Sequence, residues 1–268
     1  MLAQLRQQAI LERIRRTGGA RVAELVRDLG VSDMTIRRDL EVLAERGLIE
    51  KVHGGATIAG AGSTEEPGFA AKSARQQAEK EAIARRAARL VRPGSSVALS
   101  AGTTTWTVAR HLADVPELTV VTNSLKVADV FHRGGRPDQT VVLVGGVRTP
   151  SDALVGPVAV AAVRSMNVDV LLLGVHGMSV RAGFTTPNLL EAETDRELVG
   201  SAQRLVVLAD HTKWDTIGIS TIARLDQAHA VVSDTGLPAQ AREELSEHVG
   251  ELLLADPSGA GEREDQAR

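Results

Sequence analysis

Short apolar runs alternate with helical stretches over most of the chain, and this alternation is the strongest constraint on its fold. Six runs have strand character, at residues 97–99, 118–123, 140–146, 168–175, 204–210 and 228–234. Helical patterns separate most of them, for example at residues 104–112, 124–131 and 188–202. Because each run is continuously apolar, it predicts a strand buried on both faces, as in a parallel sheet. The sequence therefore predicts an open, mostly parallel α/β sheet with helices on both faces.

Polar residues follow these runs, where a small ligand would bind. Right-handed crossovers bring the carboxyl ends of parallel strands to one edge, and ligands of open α/β sheets bind there. After the first run, Ser100-Ala101-Gly102-Thr103-Thr104-Thr105 leads into a helix. Free amides, hydroxyls and the positive end of the helix dipole favour an anion at such a turn, although similar turns also serve only as helix caps. The candidate ligand-binding residues are Gly102, Thr103, Thr104, Thr105, Asn123, Asp210 and Lys213.

The first 56 residues have a different pattern, with three short helices followed by a hairpin. Gly18-Gly19 ends the first helix and Gly30 ends the second. Ser32 is a natural N-cap for the third helix, in which Ile36, Leu40 and Leu43 recur at the spacing of a buried stripe. Residues 48–52 alternate like a strand, and residues 53–55 form a turn. This order predicts a winged helix-turn-helix.

The stretch VSDMTIRRDL, residues 31–40, carries the chemistry expected of a DNA-reading helix. If Ile36 faces the core, Met34 and Arg38 point away from it, with Thr35 and Arg37 on the flanks. A guanidinium group can bind guanine or a phosphate through two parallel hydrogen bonds. In the alternative interpretation, Arg37 and Arg38 are a solvated face paired with Asp39 and Glu41. The candidate DNA-binding residues are Ser32, Met34, Thr35, Arg37, Arg38, His53 and Gly54.

Composition restricts the other possibilities. The net charge is −3, and residues 1–56 carry ten Lys/Arg against eight Asp/Glu, so charge alone does not indicate a DNA-binding protein. There is no cysteine, which excludes disulfides and thiolate zinc sites, and the seven histidines lack metal-ligand spacing. We therefore expect no metal and no cofactor. No apolar run reaches the length of a membrane span and the N-terminus lacks a signal-peptide pattern, so we expect a cytoplasmic protein.

Two enzymatic alternatives were considered. The dinucleotide pattern G-x-G-x-x-G is absent where such a fold requires it, and the P-loop pattern is absent altogether. A sugar-phosphate isomerase-like enzyme with a DNA-binding head stays open, since Asp152, Glu191, Glu193 or Asp210 could act as a general base. We expect no catalysis, because carboxylates near a phosphate pocket can equally bind hydroxyl groups.

The sequence also resembles a known family. LVRDLGVSDMTIRRDLEVLAERGLIEKVHGGA resembles the winged helix-turn-helix of the DeoR family of bacterial transcription regulators. LSAGTTTWTVARHL, VVTNS, VLVGG, GFTTPNLLEAE and VVLADHTKW resemble the sensor domain of that family, which is similar to ribose-5-phosphate isomerase.

This resemblance implies a repressor of carbohydrate-metabolism genes that binds double-stranded operator DNA. It implies release by an effector, a phosphorylated sugar held by Gly102, Thr103, Thr104 and Lys213. Because one recognition helix reads only a few base pairs, we also expect a homo-oligomer. One departure bears on the effector's identity, since Ser100-Ala101 replaces the aspartate-serine pair of many members. In addition, Thr212 replaces a serine that many members have before the lysine.

These patterns predict four regions. They are a DNA-binding head at 1–56, a linker at 57–75, an effector-binding sensor domain at 76–254, and a disordered tail at 255–268.

Overall fold

The computed structural model of the protein describes residues 3–17, 19–45, 48–52, 54–58 and 68–258. The chain divides into two compact units, Met1–Glu65 and Glu66–Arg268. The first contains the predicted head and the second contains the predicted α/β sheet.

The first unit is a winged helix-turn-helix, as predicted. Its elements are α1 (Ala3–Thr17), β1 (Gly19–Arg21), α2 (Val22–Leu29), α3 (Asp33–Glu45), β2 (Ile49–Val52) and β3 (Gly55–Ile58). The strands form an antiparallel sheet in the order β1-β3-β2. Strand β1 was not predicted, because three residues are too few to show a period. It lies so close to β3 that a Cβ atom at Gly55 would collide with the carbonyl oxygen of Ala20.

The predicted stripe of α3 is confirmed, since Ile36, Leu40 and Leu43 are all buried in the core of the head. Asp39 is buried as well, with 3% of its surface exposed. Its carboxylate accepts hydrogen bonds from Arg6 Nε at 2.5 Å and from Gln7 Nε2 at 3.0 Å. The alternative interpretation of Asp39 as a solvated partner of Arg37 and Arg38 is therefore wrong. Asp39 instead joins α3 to α1.

The second unit contains most of the secondary structure. Its helices are α4 (Phe69–Ser73), α5 (Gln77–Ala88), α6 (Thr103–Leu112), α7 (Leu125–Gly134), α8 (Pro157–Arg164), α9 (Leu189–Ser201) and α10 (Ala239–His248), with short 3-10 helices at His211–Lys213 and Leu225–Gln227. Its strands are β4 (Ser96–Leu99), β5 (Thr119–Thr122), β6 (Thr140–Leu143), β7 (Val147–Arg148), β8 (Leu154–Val155), β9 (Val168–Gly174), β10 (Gly177–Ser179), β11 (Gly183–Thr186), β12 (Ala202–Leu208), β13 (Ser220–Ala223), β14 (Ala230–Asp234) and β15 (Leu252–Ala255).

Seven of these strands form a fully parallel sheet in the order β15-β14-β12-β9-β4-β5-β6. The predicted open α/β sheet is confirmed. The seventh strand, β15, was not predicted, because its four residues adjoin a polar tail. The antiparallel pair β7-β8 and the antiparallel sheet β10-β11-β13 also lie outside the prediction, since their strands are two to four residues long.

The central strands are buried on both faces, which explains their continuous apolar runs. On β9, Val170 and Leu172 pack into the core that includes α5, α6 and α7. Leu171 and Leu173 pack into the core that includes α8, α9 and α10. The edge strand β6 differs, because Val141 and Leu143 are 37% and 41% exposed. The prediction of burial on both faces is wrong there, since an edge strand has a neighbour on one side only.

Part of the predicted linker is helical. Helix α4 lies within residues 57–75, and the ring of Phe69 packs edge-on against Trp106 at a centroid distance of 5.8 Å. This aromatic contact anchors a stretch whose small and polar neighbours suggested an extended chain. The predicted ends of the head at residue 56 and of the sensor domain at residue 254 are wrong, because β3 continues to Ile58 and β15 continues to Ala255. Residues 59–67 of the predicted linker, and the predicted tail from residue 259, lie outside the described residues.

The two-sided burial of β9 gives a stability prediction. We expect Leu171→Ala to lower the free energy of unfolding of the second unit by about 2–5 kcal/mol, because it leaves a cavity in a wholly buried core. Leu143→Ala on the exposed edge strand is the matched control, with an expected cost of about 1 kcal/mol or less. Urea unfolding followed by circular dichroism measures both, and equal costs would contradict this account of the sheet.

Candidate functional site

Helix α3 presents an open polar face at its N-terminal half. The Ser32 hydroxyl accepts a hydrogen bond from the amide of Thr35 at 3.3 Å, so the predicted N-cap is confirmed. Before it, Gly30 adopts the left-handed conformation with φ of 63°, which ends α2 and turns the chain towards α3. Met34 is 78% exposed and both Arg37 and Arg38 are exposed. This is the half of a recognition helix that enters the major groove in helix-turn-helix proteins.

The structure distinguishes two arginines that the sequence left equivalent. Arg37 Nε donates to Asp33 Oδ1 at 2.5 Å, and this hydrogen bond raises the pKa of Arg37. Arg38 makes no hydrogen bond or ion pair with any other residue that the structure describes. Its guanidinium group is therefore available for a bidentate contact, whereas Arg37 must first exchange its bond to Asp33.

The turn of the wing is placed only in part. Gly54 is exposed with φ of 79°, a left-handed conformation that glycine adopts without strain, and its carbonyl accepts from the amide of Val22 at 2.8 Å. His53, the other predicted wing residue, lies outside the described residues.

In the second unit the strand order identifies the position of a ligand site. From β4 the chain continues outward through β5 and β6, and then crosses to β9 on the other side of β4. The point between β4 and β9, where this direction reverses, is the switch point at which open α/β sheets bind ligands. Gly102 and Thr103 follow the carboxyl end of β4 at that point, and α6 begins there.

The turn before α6 is held from the neighbouring strand. Asn123, which follows β5, accepts a hydrogen bond through Oδ1 from the amide of Ala101 at 2.8 Å. The wholly buried Thr105 donates its hydroxyl proton to the carbonyl of Gly102 at 3.0 Å, so this donor is already engaged. Thr103 and Thr104 lie in the first turn of α6 with small exposed fractions. The structure thus brings Asn123 and the Gly102–Thr105 turn directly together.

Asp210 and Lys213 form a second pair after β12. Asp210 is almost wholly buried and accepts from both the amide and the hydroxyl of Thr212. Burial raises the pKa of Asp210, but Lys213, the Thr212 bond, Lys80 and His211 together outweigh it and lower the pKa. The negative charge of Asp210 is therefore offset by the side chains of Lys213, Lys80 and His211. Since β9 lies between β4 and β12, this pair is about 10 Å from the Gly102 turn.

A histidine–aspartate pair adjoins this group, and the sequence did not predict it. His211 Nδ1 lies 2.8 Å from Asp234 Oδ2, and its amide donates to Asp234 Oδ1 at 2.8 Å. The bond to Asp234 raises the pKa of His211 against the opposing effect of burial. Asp234 ends the adjacent strand β14, so only the strand order brings the two residues together.

Lys80 of α5 is a further charged residue that the sequence analysis missed. Its side chain lies near Asp210 and Lys213, with 5% of its surface exposed. A signal was present, because Lys80 lies on the same helical stripe as the buried Ile83, Ala84 and Ala87. A lysine on a buried stripe requires a polar partner.

The carboxylates considered for catalysis are dispersed or engaged. Glu191 accepts from the Thr149 hydroxyl at 2.7 Å, and Asp152 pairs with Arg148 and Lys126. Glu193 is exposed on α9. Among the described residues, no group of three or more His, Asp and Glu side chains has an arrangement that could hold a metal ion. No helix within the described ranges is long and apolar enough to cross a bilayer.

Comparison with known proteins agrees with this division of the chain. The DeoR-like helix-turn-helix domain matches residues 6–60, and the DeoR C-terminal sensor domain matches residues 75–235. The chain belongs to the DeoR family. The regulator YgbI of Escherichia coli K12 is 34% identical over 93% of this chain and 97% of its own length. The regulator GlpR of Haloferax volcanii is 36% identical over 91% and 95%. This DeoR-family protein is a helix-turn-helix transcriptional regulator.

Solved structures are more distant. Ribose 5-phosphate isomerase A of Methanocaldococcus jannaschii has a TM-score of 0.37 and 15% identity, over 50% of this chain and 53% of the isomerase. The eIF2B delta subunit of Chaetomium thermophilum has a TM-score of 0.39 and 14% identity, over 52% and 50%. We draw nothing about function from likenesses at this level.

The difference between the two arginines can be tested. We expect Arg38→Ala to weaken operator binding by about 1–3 kcal/mol, the usual contribution of a bidentate base contact. Arg37→Ala is the matched variant and should cost less, because Arg37 is already paired with Asp33. Fluorescence anisotropy on operator DNA at one fixed salt concentration measures both. Unchanged affinity of Arg38→Ala, or a larger loss in Arg37→Ala, would exclude Arg38 as the main reading residue.

The pair of His211 and Asp234 gives a pH prediction. Because the folded-state pKa of His211 lies above its unfolded value of about 6.5, the pair stabilises fully below about pH 6.5. This contribution is lost as the pH rises through the folded-state pKa. His211→Asn should therefore lower the melting temperature more at pH 6 than at pH 9, as measured by circular dichroism. The exposed His248→Asn is the control, and a His211 effect that stays constant or grows with pH would contradict the assignment.

Proposed function

We propose that this regulator is a repressor of carbohydrate-metabolism genes that leaves its operator when a phosphorylated sugar binds the sensor domain. The observation that carries the proposal is the Gly102–Thr105 turn, which opens α6 at the switch point of the sheet. Free amides at that helix end suit a phosphate, and Lys213 supplies a positive charge at the same edge. The compensated carboxylate of Asp210 suits the hydroxyl groups of a sugar.

Names of similar proteins support repression. AccR of Agrobacterium fabrum, named a transcriptional repressor, is 34% identical over 86% of this chain and 89% of its own length. A protein of Escherichia coli O157:H7, 30% identical over 93% of both chains, is named a putative aga operon transcriptional repressor. We propose the same direction of control here, in the cytoplasm.

The head alone suggests assembly. One recognition helix reads only a few base pairs, so helix-turn-helix proteins usually bind two half-sites as dimers. We therefore propose a homo-oligomer on double-stranded operator DNA. The proposed division of labour assigns DNA to the first unit, Met1–Glu65, and the effector to the second unit, Glu66–Arg268.

Release of DNA requires that the effector bind two states of the protein unequally. A ligand with equal affinity for the DNA-bound and the free conformation shifts neither, however tightly it binds. A hundredfold preference for the free conformation corresponds to about 2.7 kcal/mol. The decisive experiment is an anisotropy titration on the DNA upstream of the gene, with a panel of triose, pentose and hexose phosphates. Release by one phosphate but not by its dephosphorylated sugar supports the proposal, whereas binding without any response contradicts the sensor function.

Lys213 provides the sharper test within the site. We expect Lys213→Ala to raise the concentration of sugar phosphate needed for release by about tenfold or more, a loss of about 1.4 kcal/mol. Operator binding without ligand should be unchanged, because Lys213 belongs to the sensor unit. Arg164→Ala is the matched control, since Arg164 ends α8 at the opposite edge of the sheet, before β9 begins. An unchanged response would remove Lys213 from the effector site, and loss of ligand-free DNA binding would indicate a structural role.

A further inference from the structure

The stretch Gly68–Gln76, here named the entry segment, leads from the linker into the sensor unit and lies against the ligand edge of the sheet. At one end, the amide of Phe69 donates to the carbonyl of Pro150 at 3.4 Å, and Lys72 Nζ donates to the Ser151 hydroxyl at 3.0 Å. The loop that holds Pro150 and Ser151 is itself fixed to the end of β5, because the amide of Leu154 donates to the carbonyl of Asn123 at 2.7 Å. The entry segment thus begins beside the strand end that positions the Gly102 turn.

At its other end, the entry segment is held by Lys80. The Lys80 ammonium donates to the carbonyl of Lys72 at 2.6 Å and to the carbonyl of Arg75 at 2.7 Å. Burial lowers the pKa of Lys80 to about 8, with Asp210 opposing this effect and Lys213 and Arg75 adding to it. One buried ammonium therefore holds the backbone of the entry segment and also interacts electrostatically with Asp210 and Lys213.

Packing alone does not explain a lysine at this position. A buried charge has a large desolvation cost, and replacing a whole buried ion pair by apolar side chains of similar volume is often neutral or stabilising. The backbone beside it is also unusual, since Gln76 has φ of 48° although it is not glycine. A side chain in the left-handed region is strained and persists only where surrounding contacts hold it. The Lys80 bonds to Lys72 and Arg75 hold the chain immediately before that bend.

We propose that Lys80 is a positioning residue that ties the entry segment to the effector site, so that an anion bound beside Lys213 weakens the hold on the segment. The inference rests on the proposed function, because it needs an anion at that site. Anionic oxygen is a stronger acceptor than a peptide carbonyl, so a phosphate near Lys213 competes for the protons of Lys80. The carbonyls of Lys72 and Arg75 then lose their donor, and the entry segment loosens. The linker to the DNA-binding head starts from this segment.

Hydrogen–deuterium exchange of the full chain tests the tie, with inorganic phosphate as the probe and chloride at equal ionic strength as the reference. In the wild type, phosphate should slow exchange at Gly102–Thr105 and His211–Lys213, and should speed exchange of the entry segment by about threefold or more. In Lys80→Met the segment should already exchange faster without phosphate, with no further response. Lys80→Gln, which keeps a donor but not the charge, should lie between the two.

Two controls separate the tie from a loss of folding. Arg85→Met removes a charge from the same helix, where Arg85 faces Glu81 at 4.0 Å, and should leave the entry segment as in the wild type. Lys80→Met removes a buried cation that offsets the charge of Asp210, so it should lower the melting temperature, but faster exchange should be confined to the entry segment. Faster exchange throughout the sensor unit in both Lys80 variants would assign Lys80 a merely structural role and overturn the proposal.

The remaining outcomes distinguish the two proposals. If phosphate slows exchange at Gly102–Thr105 but the segment stays unchanged or slows, the effector site stands and the tie is wrong. If phosphate changes the exchange rate neither at Gly102–Thr105 nor at His211–Lys213 in the wild type, the proposed function fails. The proposed loosening of the entry segment by an anion then fails with it. If the entry segment of ligand-free Lys80→Met exchanges at the wild-type rate, Lys80 does not hold the segment. That result overturns the proposal, whatever the effect of phosphate.

Discussion

The hydrogen bonding of seven parallel strands is the constraint on which the rest of the sensor unit depends. A parallel pair needs a crossover for every strand, so helices must cover both faces and each inner strand must be apolar on both sides. The same constraint sends every carboxyl end to one edge. Residues far apart in sequence, such as Asn123, Asp210 and Asp234, therefore lie along one edge of the sheet. The polar chemistry of the unit is concentrated where the strands stop and the helices begin.

At the carboxyl edge of the sheet, the negatively charged Asp210 and Asp234 have basic side chains close by. Asp210 stays ionised in a buried position because Lys213, Lys80 and His211 surround it, and His211 is in turn paired with Asp234. Each member alone would carry a large desolvation cost, and the cost is offset only by the others. Such a network is sensitive to added charge, because an anion entering it changes the balance of every pair.

The sequence predicted the helices and strands whose apolar residues recur at a regular spacing. Helix α3 was predicted from the stripe of Ile36, Leu40 and Leu43. The parallel sheet was predicted from apolar runs such as residues 168–175. Strand β15 and the small antiparallel strands are too short to show a period, so they were missed. Contacts between residues that are far apart in the sequence could not be predicted from local patterns either. The bond of Asp39 to Arg6 spans 33 positions, and the pair of His211 and Asp234 depends on β12 and β14 being neighbours. The Gly102 turn was predicted, whereas its place at the switch point required the strand order.

The bond between Asp39 and Arg6 has a consequence for how such a head can be controlled. Asp39 lies on the buried side of α3, opposite the exposed Met34 and Arg38, and it is held by two side chains of α1. Helix α3 therefore cannot roll about its own axis without breaking a buried charge pair and opening the core beneath it. The pattern of donors that it offers to a groove is a fixed property of the head. Control of such a head must then move it as a rigid body and leave the exposed face of α3 unchanged.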